Sequence, residues 1–196
     1  MSALFAYKKL ITSLFTCLLM SAMFMTSGIA AEKGKNKGFD HKAIVKEAAE
    51  FLGVTSEEIA KVLAKTFEEH GKPNAYIKGE ETAGALGVGV RFGTGELHTV
   101  DGQTRQLEWD GPSIGFDLGL NTSKVLMLIY HLDSPDDIFK RFPGVEGSVY
   151  LVAGIGINYM KSGSTIIAPV RVGVGWRHGA NVGFIDFKDK QKKSSI

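Results

Sequence analysis

Gly87-Val88-Gly89-Val90-Arg91-Phe92 decides the fold class, because its design returns twice, as Gly154-Ile155-Gly156-Ile157-Asn158-Tyr159 and as Gly173-Val174-Gly175-Trp176-Arg177-His178. Each copy reads glycine, bulky, glycine, bulky, polar, then aromatic or imidazole. Successive side chains of a strand point to opposite faces, so the glycines and the polar residue share one face and the bulky groups share the other. Glycine weakens a strand, so a repeated glycine stripe needs a reason. Either the sheet curls sharply there, or a helix packs on bare backbone. A functional reading is a shallow groove floored by glycine and edged by Arg91, Asn158 and Arg177. Such a groove suits an extended or acyl-chain ligand with a polar head, which makes these three the candidate ligand-binding residues.

Around this pattern the chain keeps period two from Tyr76 onward. The alternation predicts strands near 76–81, 84–92, 95–100, 103–109, 113–119, 123–131, 148–160, 164–177 and 180–187. Asp101-Gly102, Gly93-Thr94-Gly95 and Lys161-Ser162-Gly163-Ser164 read as tight turns between them. One short helix interrupts the series. Ser134 caps it, Pro135 takes its first position, Asp136 and Asp137 complement its dipole, and Phe142-Pro143-Gly144 ends it. Short strands joined by tight turns imply a mainly β, α+β domain over 74–188: a small antiparallel β-barrel of about eight or nine short strands.

Ahead of the sheet, residues 40–72 read as a helical hairpin. Asp40 can cap a first helix whose apolar stripe is Ile44, Val45, Ala48, Ala49 and Leu52, with Gly53 as its stop. Thr55 and Glu58 form a capping box for a second helix, whose buried face is Ile59, Val62, Leu63 and Phe67 and which Gly71 and Pro73 end. Glu57, Glu58, Glu68 and Glu69 on the polar face weigh against insertion of this helix into anionic lipid, so membrane association is peripheral at most.

The first thirty of the 196 residues read as an address. Lys8 and Lys9 precede an uncharged run from Leu10 to Ala31, and Gly28 and Ala30 are small residues suited to cleavage between Ala30 and Ala31. The run is also just long enough to anchor in a bilayer, but its small-residue end favours a cleaved signal peptide over 1–30 and a periplasmic location. Residues 31–39 form a polar, flexible leader, and 189–196 a basic tail. Without residues 1–30 the chain holds 21 basic and 21 acidic side chains, 23 glycines and no cysteine. That balance argues against a nucleic-acid partner, and the missing thiols exclude a disulfide scaffold and cysteine-bound zinc.

No catalytic set coheres. Gly111-Pro112-Ser113-Ile114-Gly115 matches the expression of serine hydrolases, but that chemistry needs the serine on a strand-to-helix elbow, and Phe116-Asp117-Leu118-Gly119-Leu120 alternates like a strand. His41, His70, His98, His131 and His178 show no zinc-ligand spacing, and no helix follows the Gly-x-Gly pairs as a dinucleotide fingerprint requires. No cofactor is expected.

Five segments together resemble the envelope integrity protein A family: Tyr76-Ile77-Lys78-Gly79-Glu80-Glu81, Trp109-Asp110-Gly111-Pro112-Ser113-Ile114-Gly115-Phe116-Asp117, Arg141-Phe142-Pro143-Gly144-Val145-Glu146-Gly147-Ser148, Ala168-Pro169-Val170-Arg171 and Gly179-Ala180-Asn181-Val182-Gly183. The order Pro-Ser-x-Gly, apolar strand, short helix, glycine-rich strand is more distantly similar to the SYLF lipid-binding domain. The first resemblance implies a small periplasmic β-barrel with flanking helices that supports the cell envelope without catalysis. The second implies a lipid or lipid-polymer ligand. The resulting expectation is a non-catalytic envelope protein that binds a lipid, a lipid-linked glycan or an envelope protein. The alternatives are an envelope serine hydrolase using Ser113, or a protein-interaction module docking through the helical hairpin.

Overall fold

The computed structural model describes residues 37–115, 121–145, 148, 150–172 and 183–190. The signal segment with Ala30 and Ala31, the third glycine repeat with Arg177, and the end of the tail lie outside them. The order of elements is α1 (His41–Leu52), α2 (Ser56–His70), β1 (Ala75–Thr99), β2 (Thr104–Gly115), β3 (Asn121–Tyr130), a single 3-10 turn (Pro135–Ile138), β4 (Arg141–Pro143), β5 (Tyr150–Val152), β6 (Ile155–Ile157), β7 (Met160–Ser162), β8 (Thr165–Val172) and β9 (Phe184–Asp189).

Both helices begin as their residues dictate. The Asp40 carboxylate accepts from the Lys42 N–H, and Gly53 takes the left-handed cap at φ 74°. The Thr55 hydroxyl accepts from the Glu58 N–H at 3.2 Å while Glu58 reaches back to the Thr55 N–H at 3.0 Å. The end of the leader expected over 31–39 is fixed. The Phe39 N–H donates to the Pro73 carbonyl at 2.8 Å, and the Phe39 ring meets Tyr76 edge-on.

Among the described residues nine antiparallel strands form one sheet in the order β4-β9-β2-β1-β3-β8-β6-β5, with β7 also on β8. The sheet curls into a half-barrel. Its edges meet through one bridge among the described residues, Gly144 to Met160, beside a hydrogen bond from the Val145 N–H to the Tyr159 carbonyl. Two cores follow from the alternation of β3. Leu126, Leu128 and Tyr130 face outward and pack with Ala168, Val170, Ile157 and Tyr159 against Ile44, Ala48, Ile59 and Leu63 of the helices. Val125, Met127 and Ile129 face inward with Ile77, Leu97, Leu107, Trp109, Phe142, Ile167 and Ile185. A strand buried on both faces reads as a continuous apolar run, as Val125-Leu126-Met127-Leu128-Ile129 does.

The strands are fewer and longer at the start than the turn signals predict. The three expected over 76–100 are one strand, β1. Its first limb pairs with β3 from Ala75 to Ala83, and its second pairs with β2 from Gly87 to His98. The limbs curl until the Val100 N–H bonds the Asn74 carbonyl at 2.9 Å. Gly93-Thr94-Gly95 is therefore no turn. A side chain on Gly95 would lie 2.5 Å from the Lys78 carbonyl oxygen, and one on Gly79 would lie 2.4 Å from that of Thr94, so these glycines let the limbs meet backbone to backbone. The strands expected at 103–109 and 113–119 are likewise continuous through Gly115 as β2. Conversely, 148–160 breaks up. Ala153 and Gly154 both take positive φ, 50° and 80°, the geometry of a two-residue hairpin turn, so Gly154 belongs to the turn between β5 and β6 rather than to a strand stripe. The inserted helix is one 3-10 turn. It does not run to Phe142, because that ring is drawn into the inner core, where β4 pairs with β9.

Candidate functional site

The inward face of β1 runs Ala75, Ile77, Gly79 and then Glu81, and that of β8 runs Thr165, Ile167, Pro169 and then Arg171. Both series, apolar apart from Thr165, end in a charge, Glu81 on one side of β3 and Arg171 on the other. The Arg171 guanidinium grips the Glu81 carboxylate with two parallel hydrogen bonds, Nε to Oε1 and Nη2 to Oε2, each 3.0 Å. The remaining Arg171 nitrogen, Nη1, donates to the Asn158 Oδ1 at 3.2 Å. The Trp109 indole N–H donates to the Glu81 Oε2 at 3.1 Å, and the Arg91 Nη1 stands 3.7 Å from Oε1. All four polar members are buried: Glu81 is 4 %, Asn158 5 %, Arg91 7 % and Arg171 9 % exposed. The Asn158 amide Nδ2 has no acceptor.

Glycine makes room for this arrangement. Trp109 lies opposite Gly93 in register, and a side chain on Gly93 would stand 2.0 Å from the indole. The far edge of the indole abuts Gly79. Trp109 thus fills the slot between the two limbs of β1 with its N–H aimed at Glu81.

Burial alone would push the Glu81 carboxyl up. The charges of Arg171 and Arg91, with the hydrogen bonds from Arg171 and Trp109, outweigh it and hold the group at about 2 against an ordinary 4.5. Burial and the Arg171 charge bring Arg91 down to about 10, with Glu81 acting the other way. The folded carboxyl has the lower value, so this group stabilises the fold above pH 4.5, and that contribution drains away as pH falls toward 2. Its full size is about 3 kcal/mol. Denaturant titrations at neutral pH and at about pH 3 should reveal the loss, and Glu81→Gln should flatten the dependence.

Of the three residues chosen from the sequence, the structure brings Arg91 and Asn158 into one cluster and leaves Arg177 outside the described residues. The two are buried rather than set along an open groove. Sequence reasoning passed over Glu81, Trp109 and Arg171, although the segments that carried the family resemblance contain all three. The available signal was parity: a charge on the inward register of an otherwise apolar strand.

Ser113 lies within β2, opposite Gly89, so its backbone forms no strand-to-helix elbow. Among the described residues no three His, Cys, Asp or Glu side chains converge as a metal site, and no helix is long and apolar enough to cross a membrane. A concavity of about 620 Å³ lies between α1 and α2, lined by Val45, Ala60, Ala64 and Phe67 and edged by Lys42 and Lys46.

Fold and interior together define a small β-barrel-like protein, with a helical hairpin on its outer wall and a charged cluster closing one end of its core. The chain belongs to the envelope integrity protein A family, whose model matches residues 37–195. Among solved structures it is similar to a beta-barrel-like, uncharacterised protein from Brucella abortus, at 37 % identity and a TM-score of 0.71, over 78 % of this chain and 95 % of that one. No curated protein matches it. Membership associates the chain with the cell envelope and its integrity.

Proposed function

We propose that this protein is a non-catalytic periplasmic binding protein, exported with cleavage between Ala30 and Ala31, that supports the envelope by holding a lipid, a lipid-linked glycan or an envelope protein at the charged end of its half-barrel. The observation that carries the reading is the buried Glu81–Arg171–Asn158 cluster. A fold that needed only stability would close its barrel with apolar side chains, since replacing a buried ion pair by well-packed hydrophobic groups is often neutral or stabilising. The unused Asn158 donor fits a polar group arriving from outside, because an orphaned buried amide costs free energy until it is paired. The strand setting of Ser113 weighs against the hydrolase alternative. The groove between α1 and α2 favours a second reading, docking of an envelope protein on the hairpin.

Deleting the gene should sensitise cells to detergent and to cell-wall antibiotics. The wild-type chain should restore resistance, and a folded Asn158→Ala variant should restore it poorly. Unchanged resistance and cell shape after deletion would overturn the proposal.

A further inference from the structure

The last residue of α2 is a histidine set among tyrosines. The His70 side chain is 19 % exposed, and its Nε2 is buried without a hydrogen-bond partner. Its ring lies 5.3 Å from that of Tyr130, the last residue of β3, and meets the Tyr159 ring edge-on at 4.8 Å. Tyr130 is fully buried, and its hydroxyl is likewise unpartnered. The Tyr159 hydroxyl is engaged elsewhere, donating to the Thr66 Oγ1 at 3.1 Å. The earlier turns of α2 bury Ile59, Val62 and Leu63 in the outer core. Its final turn meets the sheet instead through rings that carry two orphaned polar atoms.

Such a contact suits a neutral imidazole. A protonated ring would carry a charge into a site largely stripped of water. The charge of Lys161 on β7, and that of the His131 imidazole after β3 when protonated, oppose it further. Only Glu69 favours it, with Oε2 3.9 Å from the His70 Nε2, and that carboxylate is shared with Lys65 at 3.7 Å. Burial is the largest cause, and the balance holds His70 below its ordinary 6.5.

We propose that His70 is an acid-sensitive latch: neutral, it seats the end of α2 on Tyr130 and Tyr159, and protonated, it frees that end from the wall of β3 and β7. The strands left behind keep their pairing, since β3 is held between β1 and β8. The latch goes beyond the binding function proposed above and does not depend on it. Its sign follows from the lowered value. The contribution of His70 to docking is complete above pH 6.5 and is lost as pH falls from there through the folded value.

The test is urea unfolding, at pH 7.5 and at pH 5.5, of protein recovered from cells expressing the full chain. Far-ultraviolet circular dichroism follows the helices. Tryptophan fluorescence follows the rest, because neither helix contains a tryptophan and Trp109 lies in the inner core. At pH 7.5 the two transitions should coincide. At pH 5.5 the helical signal should be lost first, with opening of the hairpin favoured by up to about tenfold per pH unit below the ordinary histidine value. In His70→Phe and in His70→Gln the separation should no longer depend on pH. His98→Gln removes the other histidine that burial holds low, and it should keep the acid separation. Coincident wild-type transitions at pH 5.5, an equal pH dependence in both His70 variants, or its loss in His98→Gln would each overturn the latch. Proton NMR gives an independent measure. The His70 ring should titrate below 6.5 and move the Tyr130 and Tyr159 ring signals with it, whereas a midpoint at or above 6.5 would overturn the proposal.

Discussion

Arg171→Met should destabilise the folded chain by about 3–5 kcal/mol, the usual consequence of leaving one member of a buried ion pair without its partner. The substitution keeps the volume of the side-chain stem but strips Glu81 of both its 3.0 Å hydrogen bonds and leaves the Asn158 Oδ1 without its donor. For a chain of this size the loss corresponds to a fall in melting midpoint of roughly 6–20 °C. Two companions make the result specific. Arg171→Lys should recover only part of the loss, because an ammonium cannot make the parallel two-bond grip. The double change Glu81→Leu with Arg171→Met should be more stable than Arg171→Met alone, since it removes the stranded carboxylate together with its partner. Thermal and denaturant unfolding of the four proteins decides the matter. If Arg171→Met were as stable as wild type, the cluster would not be holding the two strands at all. The deficit should also shrink in acid, where Glu81 without Arg171 takes up a proton more readily.

The second large effect belongs to a single methyl group. Gly79→Ala should cost about 3 kcal/mol, at or above the upper end for overpacking. The added carbon would lie 2.4 Å from the Thr94 carbonyl oxygen and 3.0 Å from the Gly95 Cα, both backbone atoms, and 2.6 Å from the Trp109 ring. Backbone cannot rotate aside as a side chain can, so the two limbs of β1 must part and Trp109 must tilt away from Glu81. Near-ultraviolet circular dichroism should register the changed setting of the tryptophan alongside the lower denaturation midpoint. Gly102→Ala is the control. That residue sits at φ 81° with nothing within 4 Å of an added carbon, so only backbone strain of about 1 kcal/mol is at issue. A Gly79→Ala cost no larger than that of Gly102→Ala would refute the crossing as the reason for the glycine.

Both predictions show which parts of the molecule were readable from residues alone. Capping residues act within one helical turn, so Asp40, Thr55 and Glu58 could be read locally, and they fold as read. Alternation is local too, and it gave an antiparallel mainly β domain with two leading helices. What local reading could not separate were the two uses of glycine. Gly102 and Gly163 supply positive φ in turns, whereas Gly79, Gly93 and Gly95 admit distant backbone or an indole. The difference lies in partners fifteen residues or more away for Gly79 and Gly93, and nothing in the short string Gly93-Thr94-Gly95 announces it. The same holds for the cluster. Arg91 and Asn158 were found through strand parity, though in a stripe whose second copy turned out to begin in a hairpin turn. Glu81 and Arg171 are ninety residues apart, and their pairing becomes legible only once β1 and β8 are known to flank β3.

The seam of the half-barrel has a consequence for how the wall breathes. β1 and β2 are knitted by twelve consecutive register pairs, while among the described residues β4 and β7 are joined by the one bridge between Gly144 and Met160. Local opening follows the line of fewest shared bonds. Of the junctions between described strands, this margin beside Tyr159 is therefore the one that should exchange its amide hydrogens first, while β1 and β2 exchange together and later.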